Sequence, residues 1–281
     1  MSKRDLAPSI LSDDYLAREA ERTIMDYSWA WEGERERVDD LGGALLRHLD
    51  VPWFGVHGMV VHLTIDPARA DEQLDTVIAR AETGGRTLWW VVGPRATPAD
   101  VADRLVARGF ERSVEWAGLA LRDLSTPIPT NPDLAVESLS ASNSEDYAAL
   151  CVVAEPGQGP EVYGERLTAA RRFLAARRPD TGIYLGRLDG TVAACVVSHI
   201  EPNGVVYLRN AVTLPAFRNR GIYLSLVAHR LAMARAAGCR AAVVQAQAQT
   251  SAPILMKRGF ERLCTIWGLT RPPADAVPRR V

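Results

Sequence analysis

The chain has 281 residues, 47% of them apolar and 24% charged, and a formal net charge of −1. This balance excludes a disordered chain and a strongly basic binder of nucleic acid or membrane surface, and no apolar run reaches bilayer-spanning length. Four scattered cysteines form neither a zinc set nor a disulfide framework, and Met1–Asp5 lead into no apolar leader segment, so buried thiols and a cytoplasmic location are expected. In chain order, Ser12-Asp13-Asp14 caps a helix carrying Leu16, Ala20, Thr23, Ile24, Tyr27, Ala30 and Trp31 at threes and fours. A second helix is expected over 34–49, then a strand over 56–65, a helix over 71–83 closed by Gly84-Gly85, and a strand over 87–92. Thr97 and Pro98 read as the N-cap and first position of a helix ending at Gly109, with a closing strand over 113–121.

Three prolines within 127–132 mark a linker, 126–133, between a first domain, 1–125, and a second, 134–281. The second opens with a strand over 134–139 and helices over 142–154 and 161–178. Strands over 183–187, 191–200 and 205–213 follow, turned at Asp189-Gly190 and Asn203-Gly204. Helix 223–237, strand 241–247, helix 252–258 and strand 264–270 complete it. The fold class is α/β (α+β), a mixed sheet flanked by helices.

Arg-Gly-Phe-Glu-Arg occurs at Arg108–Arg112 and again at Arg258–Arg262. The flanks match too: Trp116, Gly118 and Leu119 answer Trp267, Gly268 and Leu269, and Ala79-Arg80-Ala81 answers Ala234-Arg235-Ala236. Pro67 stands near the place of Pro215. The chain therefore reads as two versions of one α/β unit in tandem.

Between strand 205–213 and helix 223–237 lies Leu214-Pro215-Ala216-Phe217-Arg218-Asn219-Arg220-Gly221-Ile222. A helix start offers unpaired N–H groups and the positive end of the dipole. Glycine lets an anion approach, and two arginines can hold phosphate oxygens. An ordinary strand-to-helix turn with solvated arginines is the plainer alternative. It is neither a P-loop nor a Rossmann fingerprint, because Gly-Lys-Ser/Thr and the further glycines are missing.

With its preceding three-stranded meander, Thr213-x-Pro215-x-x-Arg218-x-Arg220-Gly221-Ile222 resembles the acetyl-CoA signature of the GNAT superfamily of N-acetyltransferases. Ser251 to Phe260 resembles that family's second signature, a short helix ending in Gly-Phe. The resemblance spans about 134–271 and departs at Tyr223, where the family carries a small residue. It implies two tandem GNAT-like domains with acetyl-CoA as co-substrate, held by Val212, Thr213, Leu214, Arg218, Asn219, Arg220, Gly221, Ile222, Tyr223, Gln247 and Ser251. No metal is expected. In the first half Ile65–Asp71 stands where the phosphate loop belongs, without the glycine and with Asp66 and Asp71, which would repel a diphosphate. One live site, in the second half, follows.

The implied reaction is acetyl transfer to a primary amine of a small molecule or protein, with a backbone N–H around Ala211–Thr213 as oxyanion donor. The family's usual acid, a tyrosine, falls on Leu255, and no carboxylate stands in 205–210 where a base is common. Glu155, His199 and Tyr223 are the candidate catalytic side chains, with Glu201 as a further candidate base and Ser251 and Cys264 as further substitutes for the acid. Ser251 equally reads as a helix N-cap, Tyr223 as packing, and Gln245, Gln247 and Gln249 as either pantetheine partners or sheet caps. Trp89-Trp90 reads as core, Tyr27, Trp29 and Trp31 as helix packing or pocket wall, and His57 with His62 as a poor metal pair. No nucleic acid or membrane partner is expected, and a homodimer is left open. The alternatives to an enzyme are a catalytically weak acyl-CoA-binding pseudo-enzyme and an interaction module without cofactor.

Overall fold

The computed structural model describes residues 11–26, 37–53, 56–83, 85–154 and 161–271. Ser12 starts α1 (Asp13–Asp26) as its sequence requires, its Oγ accepting from the Tyr15 N–H at 3.3 Å. The continuation through Tyr27, Trp29, Ala30 and Trp31 lies outside the described residues. The helix expected over 34–49 is corrected: Val38–Asp40 (β1) and Leu45–Trp53 (β2) are antiparallel strands. Gly42 and Gly43, at φ +78° and +140°, make the turn between them. Two glycines would cost a helix interior about 2 kcal/mol relative to alanine, whereas the turn uses their freedom.

Next come β3 (Val56–Val61), α2 (Ala70–Ala81), β4 (Leu88–Val92), α3 (Val101–Val106) and β5 (Glu111–Leu121). Thr97 is not the N-cap of α3, and Pro98 is not its first residue. The Thr97 N–H donates to Leu63 O at 3.0 Å and its carbonyl accepts from Ile65 N–H at 2.9 Å, so it extends the sheet instead. The second half supplies β6 (Ala135–Ser138), α4 (Ser144–Ala154), α5 (Glu161–Ala176), β7 (Thr181–Leu188), β8 (Thr191–Ile200) and β9 (Val205–Thr213). It ends with α6 (Ile222–Ala236), β10 (Ala241–Gln247), α7 (Ser251–Met256) and β11 (Glu261–Thr270).

The strands form one 11-stranded sheet in the order β1-β2-β3-β4-β11-β5-β10-β9-β8-β7-β6. The last strand of each half is thus seated in the other half. β11 lies between β4 and β5, and β5 lies between β11 and β10. Among the described strands only β3–β4 and β9–β10 are parallel pairs. Pairing directions therefore repeat outward from the central antiparallel β5–β11 pair, β6 at the far edge excepted.

This pseudo-twofold explains the repeated string. In each copy a glycine at φ +85° or +86° (Gly109, Gly259) ends a helix, and the following Phe N–H returns to a leucine carbonyl. Phe110 bonds Leu105 O at 3.2 Å and Phe260 bonds Leu255 O at 3.3 Å, the closing bond of a Schellman cap. Phe110 and Phe260 are then 2% and 3% exposed, each anchoring the strand it starts. Burial of each ring is worth about 1.5–3 kcal/mol.

Side chains alternate across the sheet. Val206 and Leu208 pack under α6 with Val227 and Leu231, while Val205 and Tyr207 pack against Leu16 and Ala20 of α1. Trp90 is buried in the first half's core, and Trp89 meets Trp116 edge-on at 5.6 Å.

Candidate active site

β9 and β10 are paired only at Val205↔Ala241, Val206↔Ala242 and Tyr207↔Val243. Beyond that point each strand stays with its other neighbour: Thr213 remains opposite Ala194 on β8, and Gln247 remains opposite Trp116 on β5. The result is a fork. Residues 205–209 are buried, whereas Ala211 and Gln247 near its open end are exposed. Between Arg209 and Val212 the β8–β9 register slips by one residue, and Asn210 takes φ +46°, the mark of a bulge.

The open end leads to the arginine loop. Pro215–Phe217 make a single 3-10 turn, and Gly221, at φ +74°, is the N-cap of α6. An L side chain there would be strained by about 1–2 kcal/mol. Linker residue Asn131 frames this turn: its Nδ2 donates to Arg220 O at 2.8 Å, and its N–H donates to Ser225 Oγ at 2.7 Å. Arg218, Asn219, Arg220 and Gly221 are all exposed. Arg218 Nε donates to Thr213 O at 3.4 Å, and Arg220 pairs with Asp189 at 2.8 Å. Exposed as it is, that pair is worth no more than about 1 kcal/mol, so a phosphate can displace it.

The ring of Tyr223 does not fill this mouth; it packs on the apolar cluster beneath α6. Burial raises its phenol above the ordinary range, so it is a protonated hydroxyl at neutral pH. These features fit a diphosphate at the α6 N-terminus with its arm in the fork: an exposed helix start, a glycine in the left-handed region and two cationic side chains at the rim.

Other sequence candidates fall elsewhere. Glu155 lies outside the described residues. His199 stands opposite Tyr207, near the closed end of the fork and on the sheet face away from Tyr223. Its Nδ1 bonds Thr181 Oγ1 at 2.8 Å, and its Nε2 is 3.6 Å from Glu201, which pairs with Arg22 at 2.9 Å. Gln245 is engaged by α1, donating to Ala20 O and, at 2.9 Å, to Thr23 Oγ1. Gln247 accepts from Thr250 Oγ1 at 3.0 Å. Ser251 is the first residue of α7 rather than its N-cap, a place held by Thr250. Leu255 is fully buried in the core. Cys264 has its thiol pushed up to about 11 by burial, which leaves it a poor nucleophile.

Burial lowers the His199 imidazole, against the pull of Glu201 and Asp180. The native ring is therefore neutral near pH 7, whereas the unfolded ring takes a proton near about pH 6.5. Stability is expected to fall as pH drops below about 6.5, because the unfolded state then binds more protons than the native state. Denaturant midpoints at about pH 7.5 and about pH 5.5 check this. His199→Gln should flatten the acid-side loss, and an unchanged slope would contradict the assignment.

The first half has the corresponding parallel pair, β3–β4, but it is closed. Thr97 binds Leu63 and Ile65, and a bridge joins Thr64 to Thr97. Asp66 Oδ1 accepts from Ala68 N–H at 2.9 Å, so a carboxylate caps the 3-10 turn Pro67–Arg69 that leads into α2. Asp71 is held by Arg104 and Arg108, each at 2.9 Å. His62 bonds Asp26 at 2.6 Å. Among the described residues no group of three His, Cys, Asp or Glu side chains could hold a metal, and no helix is long and apolar enough to cross a membrane.

Comparison with known proteins agrees with this geometry. Residues 147–260 match the family model described as Acetyltransferase (GNAT) family. A GCN5-related N-acetyltransferase from Kribbella flavida superposes with a TM-score of 0.64 at 20% identity, over 92% of this chain and 95% of that one. A functionally unknown conserved protein from Staphylococcus epidermidis gives 0.60 at 11% identity, over 89% and 96%. A tandem GNAT protein from the clavulanic acid biosynthesis pathway gives 0.55 at 17% identity, over 83% and 80%. No curated protein sequence matches the chain. At these identities the likeness is one of fold: the mixed α/β class expected from the sequence is observed, but as one shared sheet rather than a separate sheet in each half.

Proposed function

We propose that the protein is an acetyl-CoA-dependent N-acetyltransferase with a single working site in its second half, where residues 147–260 match the GNAT family model. The observation that carries this reading is the β9–β10 fork, which runs from a bulged strand to an arginine-rimmed helix start at Gly221. Acetyl-CoA supplies the activated acetyl group. Arg218, Arg220 and the first N–H groups of α6 would hold its phosphates, and the exposed end of β9, Ala211–Thr213, its arm. The acceptor is a primary amine of a small molecule or protein. Positioning of two bound substrates does most of the work, so the reaction needs no strong acid or base. Tyr223, a protonated hydroxyl on the first turn of α6, is the candidate to protonate the departing thiolate. The closed β3–β4 pair and the Asp66 cap support a first half without cofactor. A cytoplasmic setting goes with four cysteines that are free thiols.

The burial of Leu255 where the family's hydroxyl is common favours a second reading, an acyl-CoA-binding protein with weak catalysis. Acetyl-CoA at about a hundred times its Kd should stabilise the protein by about 2.7 kcal/mol, read as a rise in Tm. Thiol release with a panel of primary amines then separates enzyme from binder. No rise in Tm overturns both readings.

A further inference from the structure

Arg230 lies in the middle of α6 and is 2% exposed. Its guanidinium meets backbone carbonyls: Nε donates to Leu226 O at 3.2 Å, and one Nη donates to Val197 O at 3.1 Å and Arg209 O at 3.4 Å. Burial pushes it down to about 10, so it remains a cation at neutral pH. A buried charge of this kind is costly, and a leucine in its place would pack well for less. Its position is specific. Val197 and Arg209 face each other across β8 and β9, immediately before the bulge at Asn210.

The 209–210 peptide is trans, so its carbonyl and N–H point in opposite directions. With Arg209 O held at the β8–β9 seam, the Asn210 N–H is directed away from β8, to the side where β10 has departed. We propose that the oxyanion donor is the Asn210 N–H, one residue before the stretch expected from the sequence, and that Arg230 is its positioning residue. From beneath the sheet it grips the carbonyl of Arg209, and so fixes and polarises the peptide whose N–H faces the fork. A cation on the oxygen side of a peptide strengthens the donor on its nitrogen side, as in any hydrogen-bonded chain, and the dry interior amplifies the effect. The cost of burying Arg230 is thereby turned to a use, a stronger donor where negative charge develops on the acyl oxygen. This inference rests on the acyl-transfer reading above.

The test is infrared difference spectroscopy of acetyl-CoA carrying carbon-13 at its thioester carbonyl, bound to the wild-type, Arg230→Lys, Arg230→Met and Arg230→Gln proteins. Binding to the wild type is expected to lower the carbonyl stretch. Arg230→Met should lose about half of that shift or more while its Kd for acetyl-CoA stays within about twofold, and Arg230→Lys should keep most of it. Thiol release should fall about tenfold or more in Arg230→Met at unchanged KM for acetyl-CoA. If Arg230→Met does not fold, Arg230→Gln, which keeps donors without the charge, carries the same comparison. An undiminished shift in the neutral variants overturns the proposal, as does a loss that Lys does not restore. Absence of any binding isotherm for the wild type removes the acyl-transfer reading, and this proposal with it.

Discussion

Gly221→Asp weakens acetyl-CoA binding by about thirtyfold or more while the protein stays folded: this is the expected result at the mouth of the fork. Gly221 is exposed and sits at φ +74°. A Cβ there meets nothing nearer than Asn131 Cβ at 3.5 Å, an ordinary contact. Aspartate also tolerates the left-handed region better than most side chains, so the fold should lose no more than about 1–2 kcal/mol. The effect on an anion is larger. Reversing the favourable dipole term and losing one charge-assisted hydrogen bond amounts to about 2–4 kcal/mol, or roughly thirtyfold to a thousandfold in Kd. Gly221→Asn separates the two causes, since it brings the same bulk and backbone strain without the charge and should weaken binding far less. Calorimetric titration with acetyl-CoA checks both variants, with circular dichroism as the control for folding. Equal affinities for wild type and Gly221→Asp would remove this loop from the binding site.

Residues 126–281 expressed alone should fail to give a cooperatively folded protein, although they contain the whole family match. The reason is the exchange of strands. The core beneath α6 takes Ala117, Leu119, Leu121 and Leu124 from the first half, all buried. β10 also loses its ladder with β5, which runs from Ala242↔Leu121 to Gln247↔Trp116. Losing the burial that these three leucines contribute removes about 5–9 kcal/mol, comparable with the total stability of a domain. Thermal unfolding of the fragment followed by circular dichroism should show no sigmoidal transition. Co-expression with residues 1–125 should restore one, because the missing strand is returned. A fragment that unfolds cooperatively by itself would refute the claim that each half completes the other.

Much of this was legible in the sequence because it rests on local signals. The Asp189-Gly190 and Asn203-Gly204 turns set β7, β8 and β9, and the loop before α6 shows the donor-rich start of that helix. The repeated Arg-Gly-Phe-Glu-Arg revealed two related units because it marks a helix end and a strand start in each. The same string could not tell which half each strand joins, since strand exchange leaves local pattern unchanged. The segment over 34–49 was misread because its apolar residues also suit helical spacing, while Gly42-Gly43 was the signal that should have decided for a hairpin. Arg230 carries no local motif that marks its role. Its place within the apolar stripe of Leu226, Val227, Leu231 and Ala234 was the available clue, but its carbonyl partners come from two other strands. Asn131, in a proline-rich tether, carries no such clue.

The interleaved sheet bears on how such a chain can evolve. The first half cannot simply be deleted, because it lends β5, the strand that backs β10 on the side away from the fork. Substitutions from Trp116 to Leu121 are then limited by the shape that β10 must keep. The two halves are inherited as one machine.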